Sequence, residues 1–341
     1  MTLLDNLREL ALRAPWFPVA AFAALGAAAG SFLNVCAARI PKGESIIRPG
    51  SHCECGAPIP WFRNLPVLSW LLLGGRAACC RRRLGARHPL VEGGTALWFA
   101  LCWAWLPWQQ ALAGMLFGAW LLALALMDLD TMYLPDAPNI GLVLVGVCVA
   151  LALPESHGTE IAAGGVFRGG GVGIAAPAPV TGEGVPRLAM ILPALADALV
   201  GALAGAGLAY WLRLFATVAF RREALGEGDI ILLGGIGAFC GWQGAVFALF
   251  GGSVLGAAFL APAVLIEKIR GTAGGKQSPA AAKNASLASC EGDEFAADNA
   301  AGGLAQAIPF GPWLAAGAAA WWLFFREPMS AQIETLRALL N

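Results

Sequence analysis

Charge is scarce in this chain. Asp, Glu, Lys and Arg make up 13% of its 341 residues, about half of the ~25% usual in globular domains. Hydrophobic residues make up 58%, and the mean hydropathy is +0.67. Such a composition excludes an ordinary water-soluble domain and points to the bilayer. The charge that is present balances, 22 basic against 22 acidic residues, so no bulk positive field marks a nucleic-acid partner. The sequence shows no internal repeat. Glycine and tryptophan are abundant, with 44 and 13 residues. Small residues let membrane helices pack closely, and indole rings suit the membrane interfaces.

A helix needs about 20 apolar residues to cross the hydrocarbon. Candidate spans fall at 16–37, 93–107, 109–127, 138–153, 191–213, 230–246, 248–266 and 308–325. The expected fold is an all-α polytopic membrane protein with about eight transmembrane helices. The breaks at Pro107 and near Gly251 are soft, so seven or nine spans stay open. The first segment is long and runs into a basic loop, so it reads as a retained span rather than a signal peptide. Loop 38–92 holds nine Lys and Arg residues, which places it in the cytoplasm. Alternation then puts 128–137 and 214–229 on the same side, with 154–187 and both termini outside. The Gly/Ala/Pro-rich 158–186 and the small, polar 271–303 read as flexible insertions that bury too little to order themselves. The expected organisation is a first span at 1–37, a cytoplasmic cysteine-containing loop at 38–92, and a helical core at 93–341 with insertions at 154–187 and 268–306.

Few carboxylates lie inside or beside the spans: Asp128, Asp130, Asp136, Asp197 and Asp229. Asp128 and Asp130 close the third span in "MDLDTMYLPD". Asp229 ends the stretch "GEGD" (226–229) and opens the sixth span. The topology sets Asp128 and Asp229 at one depth on different helices. Two facing carboxylates share a proton, so one serves as acid and the other as base. Such a pair activates water and protonates a leaving amine without a metal or nucleophile. Gly226 and Gly228 allow positive φ and close approach of a substrate strand. Blander readings compete. Asp229 suits a helix N-cap, Asp136 a turn, and Asp197 a cap or outer helix end. The two acids also suit a proton- or ion-coupled transporter, or an inactive scaffold. Their position at one side, rather than at mid-membrane, argues against transport.

These residues resemble a known family, the type IV prepilin peptidases. "GEGD" is similar to the GxGD signature of membrane aspartyl proteases, and "MDLDTMYLPD" to the family's first-aspartate motif. In order along the chain, "GSFLNVCAARIP" (30–41), "NLPVLSWLLLGG" (64–75), "HPLVEGGTALWF" (88–99) and "IPFGPWLAAG" (308–317) resemble further family motifs. The resemblance implies an enzyme of the bacterial inner membrane. It would cleave the basic leader from type IV prepilins and type II secretion pseudopilins on the cytoplasmic face, with Asp128 and Asp229 as the catalytic pair. It also implies N-methylation of the new terminus with S-adenosylmethionine, for which no GxGxxG pattern appears in the cysteine loop. The leader would be held by anionic lipid and acids, while the pilin's apolar helix stays in the bilayer.

The cysteines depart from the family pattern of two Cys-x-x-Cys pairs. Here Cys53 and Cys55 flank one residue, and Cys79 and Cys80 are adjacent, with Ala77 where a thiol is expected. Four thiols in one loop suit zinc, but adjacent cysteines reach one tetrahedral ion only under strain. The alternative is a set of reduced thiols, since disulfides are rare on a cytosolic face. Glu44 and Glu92 lie near this loop, where either suits a substrate amine or a structural turn.

Overall fold

The structure is a computed structural model. It describes residues 14, 16–53, 55–157, 160–161, 167–168, 187–221, 225–273 and 309–326. Apolar runs become helices: α1 (Trp16–Arg39), α2 (Arg87–Trp105), α3 (Trp108–Thr131), α4 (Asp136–Ala152), α5 (Arg187–Phe220), α6 (Glu227–Ala273) and α7 (Gly311–Ala320), which continues as a π-turn through Trp321–Phe325. Among the described residues the regular structure is helical apart from a two-residue antiparallel pairing of Glu160–Ile161 with Phe167–Arg168 and the isolated bridges His52–Pro58 and Arg76–Arg83. Most of the two insertions lies outside the described residues, and so does the flexibility expected of them. The described start of the first, Pro154–His157, is a 3-10 turn with Ser156 and His157 buried.

Among the described residues, four helical stretches are long and apolar enough to cross a membrane: Trp16–Lys42, Trp108–Thr131, Met190–Ala219 and Glu227–Pro262. Asp136–Ala152 is apolar but shorter. Of the expected spans, the second starts earlier than 93, because α2 takes in Arg87, His88 and Glu92 in its first two turns. The soft break near Gly251 is displaced to Gly241. At 47 residues, α6 would reach ~70 Å at ~1.5 Å per residue, twice a bilayer core. Gly241 interrupts it with φ 69° and ψ 178°, a conformation that only glycine adopts without strain.

The chain reverses at that break. Before it, Gly228 meets Leu134 and Gly235 meets Leu142 of α4. After it, Gly244 meets Trp321 and Gly252 meets Trp313, descending α7. Gly205 of α5 touches both Leu233 and Ala245, one from each half. The α5–α6 seam is built of small residues. A side chain on Gly201 or on Gly237 would run into the other's backbone, the close approach that membrane helices exploit. The core is sealed by Phe117, Phe239 and Trp322, whose rings lie 4.7–6.4 Å apart.

Candidate active site

Asp128 sits in the last turn of α3, 6% exposed. The helix stops three residues later, where Met132 turns left-handed (φ 51°) and donates its N–H back to the Asp128 carbonyl at 2.8 Å. One carboxylate oxygen of Asp128 accepts the Gly311 N–H at 2.9 Å. Gly311 is the first residue of α7, so an anion here faces the positive end of that helix. A Cβ at Gly311 would come within 2.8 Å of the same oxygen, so the contact requires glycine.

Asp229 is the third residue of α6 and 8% exposed. It accepts the Gly226 N–H at 3.3 Å, as an acid in a first turn does when it reaches back to its own N-cap. Asp229 is therefore not the N-cap itself but bonds to it from the third helical position, and this does not compete with proximity to Asp128. The two carboxylates interact electrostatically across the α3–α6 gap.

The glycines of "GEGD" work differently from expectation. Neither Gly226 nor Gly228 has a positive φ. Gly228 is needed for space instead: a Cβ there would lie 2.7 Å from the Leu134 side chain. Its carbonyl accepts the side-chain N–H of Asn139 at 2.7 Å. Asn139 is fully buried in α4 and so ties the loop before Asp229 to the segment after Asp128. Sequence reasoning passed over Asn139 and the role of Gly311. The only signal for Asn139 was an amide inside the apolar run "NIGLVLVGV".

The other acids are held apart from this pair. Asp130 takes a bidentate fork from Arg87 at 2.6 Å per arm. Asp136 is exposed in the first turn of α4. Asp197 is no cap: it is buried within α5, 3.3 Å from the equally buried His157. Its carboxylate lies against the Gly241 break.

Cys53, Cys55, Cys79 and Cys80 converge, with all four Sγ atoms within 4.8 Å of one another. Cys53 and Cys80 are 3.7 Å apart and Cys55 and Cys79 3.3 Å, too long for disulfides at ~2.05 Å. Thiolates around one tetrahedral ion, at ~2.3 Å from it, lie ~3.8 Å from each other, so the arrangement can hold a metal. Two tight turns present the thiols. One closes through Gly56 (φ 85°) donating to Cys53, the other through Ala77 donating to Arg82 at 2.8 Å. Arg81, which follows the adjacent cysteines, is held at φ 58°. The backbone N–H of Cys55, followed by the neighbouring thiols, draws the Cys53 thiol down to about 7. Hydrogen bonding to Cys53, followed by that to Cys55, pushes Cys79 up to about 12.

Between α1, the cysteine loop and the start of α2 lies a cavity of about 590 Å³. Glu92, 8% exposed, borders it and accepts the Val67 N–H at 2.7 Å.

The long apolar helices define a polytopic membrane protein, in which Asp128 and Asp229 lie buried at the ends of two helices. Residues 24–106 match the model of the bacterial peptidase A24 N-terminal domain, and residues 115–261 match that of the type IV leader peptidase family. The chain is 34% identical over 245 residues to a prepilin leader peptidase/N-methyltransferase of Myxococcus xanthus, covering 71% of this chain and 62% of that protein. It is 34% identical over 234 residues to the type 4 prepilin-like proteins leader peptide-processing enzyme of Escherichia coli, covering 62% of this chain and 73% of the relative. A Klebsiella pneumoniae prepilin leader peptidase/N-methyltransferase is 33% identical over 230 residues, with 83% of its length covered. The chain therefore spans less than two thirds of the Myxococcus protein and more of the other two. No solved structure matches it significantly. The chain belongs to the type IV leader peptidase family.

Proposed function

We propose that this protein is an endopeptidase of the bacterial inner membrane. It removes the basic leader from type IV prepilins and type II secretion pseudopilins, then N-methylates the exposed terminus. The observation that carries the reading is the pairing of Asp128 and Asp229, buried at the ends of α3 and α6 and interacting with each other. The catalytic side is cytoplasmic, because the basic loop 38–92 joins the same end of the bundle through Arg87 and Asp130 and such loops stay inside. The loop 38–92 is associated with methyl transfer, and 93–341 forms the peptidase core.

In the proposed reaction the two aspartates share one proton. The ionised one takes a proton from water as the oxygen attacks the scissile carbonyl. The protonated one delivers its proton to the departing amine. Gly311 steadies Asp128 by its N–H, and Asn139 fixes the Gly228 carbonyl so that Asp229 keeps its aim. Cys53, Cys55, Cys79 and Cys80 hold zinc, which fastens the two turns of the loop together. S-adenosylmethionine supplies an electrophilic methyl group for the second activity.

The test is leader cleavage of a prepilin in membranes carrying wild type, Asp128→Asn or Asp229→Asn. Asn keeps size and polarity but cannot exchange the proton. Each variant is expected to lose at least ~10²-fold in rate, the lower end of what a positioned acid or base supplies. Wild-type cleavage by either variant would overturn the pair. A wild type that cuts no pilin-like substrate would bring transport forward.

A further inference from the structure

Between residues 309 and 326 the sequence carries a single charge, Arg326. It closes the far end of α7, away from Gly311 and the acid pair. An ionisable group within a membrane bundle is rare and marks a function or a fixed partner. The Arg326 Nη2 donates to the carbonyl of Ser156. Its guanidinium stands 4.9 Å from the centre of the Trp322 ring, a cation–π contact. Ser156 lies in the turn after α4, beside His157, which pairs with Asp197 of α5. Cys240, next to the Gly241 break of α6, interacts electrostatically with both Arg326 and Asp197. Four helices therefore meet in one polar knot, and Arg326 is the part that α7 contributes.

The helix is built to deliver that side chain. Trp321–Phe325 form a π-turn, closed by the Arg326 N–H on the Trp321 carbonyl. Such turns are rare, hold one residue more than an α-turn and occur often at functional sites. The extra residue changes the side on which Arg326 leaves the helix, here toward Ser156. At its other end α7 opens with Gly311, whose N–H reaches Asp128 at 2.9 Å. Between the two, α7 lies flush on the second half of α6. A Cβ on Gly317 would stand 2.7 Å from the Ala248 carbonyl, and one on Gly252 2.5 Å from that of Trp313. Backbone laid on backbone gives close contact with little interlocking, so the axial height of α7 is set largely at its ends. Gly311 and Arg326 are joined by a helical rod of ~22 Å, at ~1.5 Å per residue. A slip by one residue's rise would stretch the Gly311–Asp128 bond beyond hydrogen-bond length.

We propose that Arg326 is a positioning residue for Asp128: by gripping the Ser156 carbonyl it fixes the height of α7 and so holds the Gly311 N–H against the carboxylate. Its effect on cleavage rests on the acid-pair reading above, whereas its effect on Gly311 rests on the geometry alone. Arginine suits the task because its planar guanidinium stacks on the indole of Trp322 while donating in its own plane to Ser156. The knot at the far end of the bundle thereby serves the acid pair without touching it.

The experiment reads two quantities on the full chain in detergent: amide hydrogen exchange in overlapping peptides across 309–313, and kcat and KM for leader cleavage of a prepilin. Pro309 and Pro312 carry no N–H, so the exchange signal comes from Phe310, Gly311 and Trp313. Arg326→Met is expected to speed exchange at Gly311 at least ~tenfold while leaving exchange within α3 unchanged. It should lower kcat at least ~tenfold, as a slightly misplaced catalytic group does, with KM within ~twofold. Arg326→Lys keeps a charged donor and should restore part of both. Asp197→Asn combined with Arg326→Met keeps the knot neutral and should show the same two changes if the single variant does not fold. In Gly311→Ala the bond to Asp128 is already displaced, so adding Arg326→Met should cost less than a further ~twofold in kcat. Unchanged exchange at Gly311, a rise shared equally by α3, or losses that multiply in full in the Gly311→Ala background each overturn the positioning role. A wild type that cuts no prepilin overturns the acid-pair reading instead, and exchange at Gly311 still decides whether Arg326 holds α7.

Discussion

At the scale of single residues, the two aspartates proposed to act as the catalytic pair are held by neighbours that would contribute no chemistry themselves. Asn139 is fully buried, so it touches no substrate and acts only through the Gly228 carbonyl. Asn139→Leu leaves that carbonyl without its donor, at a cost of ~1–3 kcal/mol. It also frees the loop ahead of Asp229. The expected result is a lower melting temperature and a ~10²-fold fall in kcat, the scale of a misplaced catalytic group, with KM unchanged. A change in KM alone would show that Asn139 does not position Asp229. The thiols give a second residue-scale prediction. In metal-free protein Cys53 titrates near 7, below the ordinary thiol value, so its thiolate persists above that pH and is lost as pH falls through it. Cys79, pushed to about 12, stays protonated across the neutral range. Since the thiolate is the nucleophile, iodoacetamide at pH 8 should label Cys53 before Cys79. That order runs against exposure, because Cys53 is the buried one. Labelling of Cys79 first would mean that access governs.

At the scale of elements, the decisive feature is the reversal in α6. A straight 47-residue helix would carry the chain away from α7 and leave Asp128 without the Gly311 N–H. The break depends on Gly241 and on what lies beside it: a Cβ there would come within 3.1 Å of the Asp197 carboxylate, which faces His157. Gly241→Ala adds backbone strain and presses on that buried pair, so it should destabilise by ~1–3 kcal/mol. Thermal unfolding in detergent reads this directly. An unchanged melting temperature would mean that the break is set by the helices around it. The sequence misplaced this break near Gly251 because both sites look alike in one dimension. "CGWQG" and "LFGGS" are each small residues inside apolar runs, and only the proximity of Asp197, 44 residues away, separates them. The all-helical membrane class was legible because hydropathy announces it locally, although only four of the eight expected spans are matched by helical stretches long and apolar enough to cross a membrane among the described residues; the convergence of the four cysteines was legible from their clustering. Asn139, Gly311 and the contact of Glu92 with Val67 were not, because each depends on a residue 25 to 183 positions distant.

At the scale of the whole molecule, the cleavage and methylation proposed for this chain would act in turn on one amine. The described structure joins the two regions at their exposed edge by the Arg87–Asp130 fork. A half-exposed ion pair contributes at most ~1 kcal/mol to stability, so its removal should leave the fold intact. Its geometric effect is larger, because the bidentate fork fixes the start of α2, and with it His88 and Glu92, against the end of α3. Arg87→Met keeps the aliphatic stem and deletes the fork. Cleavage should proceed while methylation falls behind, so that unmethylated mature pilin accumulates. Mass spectrometry of the processed N-terminus gives the ratio of the two products. Lys at 87 restores the charge but not the fork and should recover the ratio only in part. If cleavage and methylation fall together in Arg87→Met, the fork supports the acid pair itself. If neither changes, the two sites communicate only through diffusion of the cleaved pilin in the membrane.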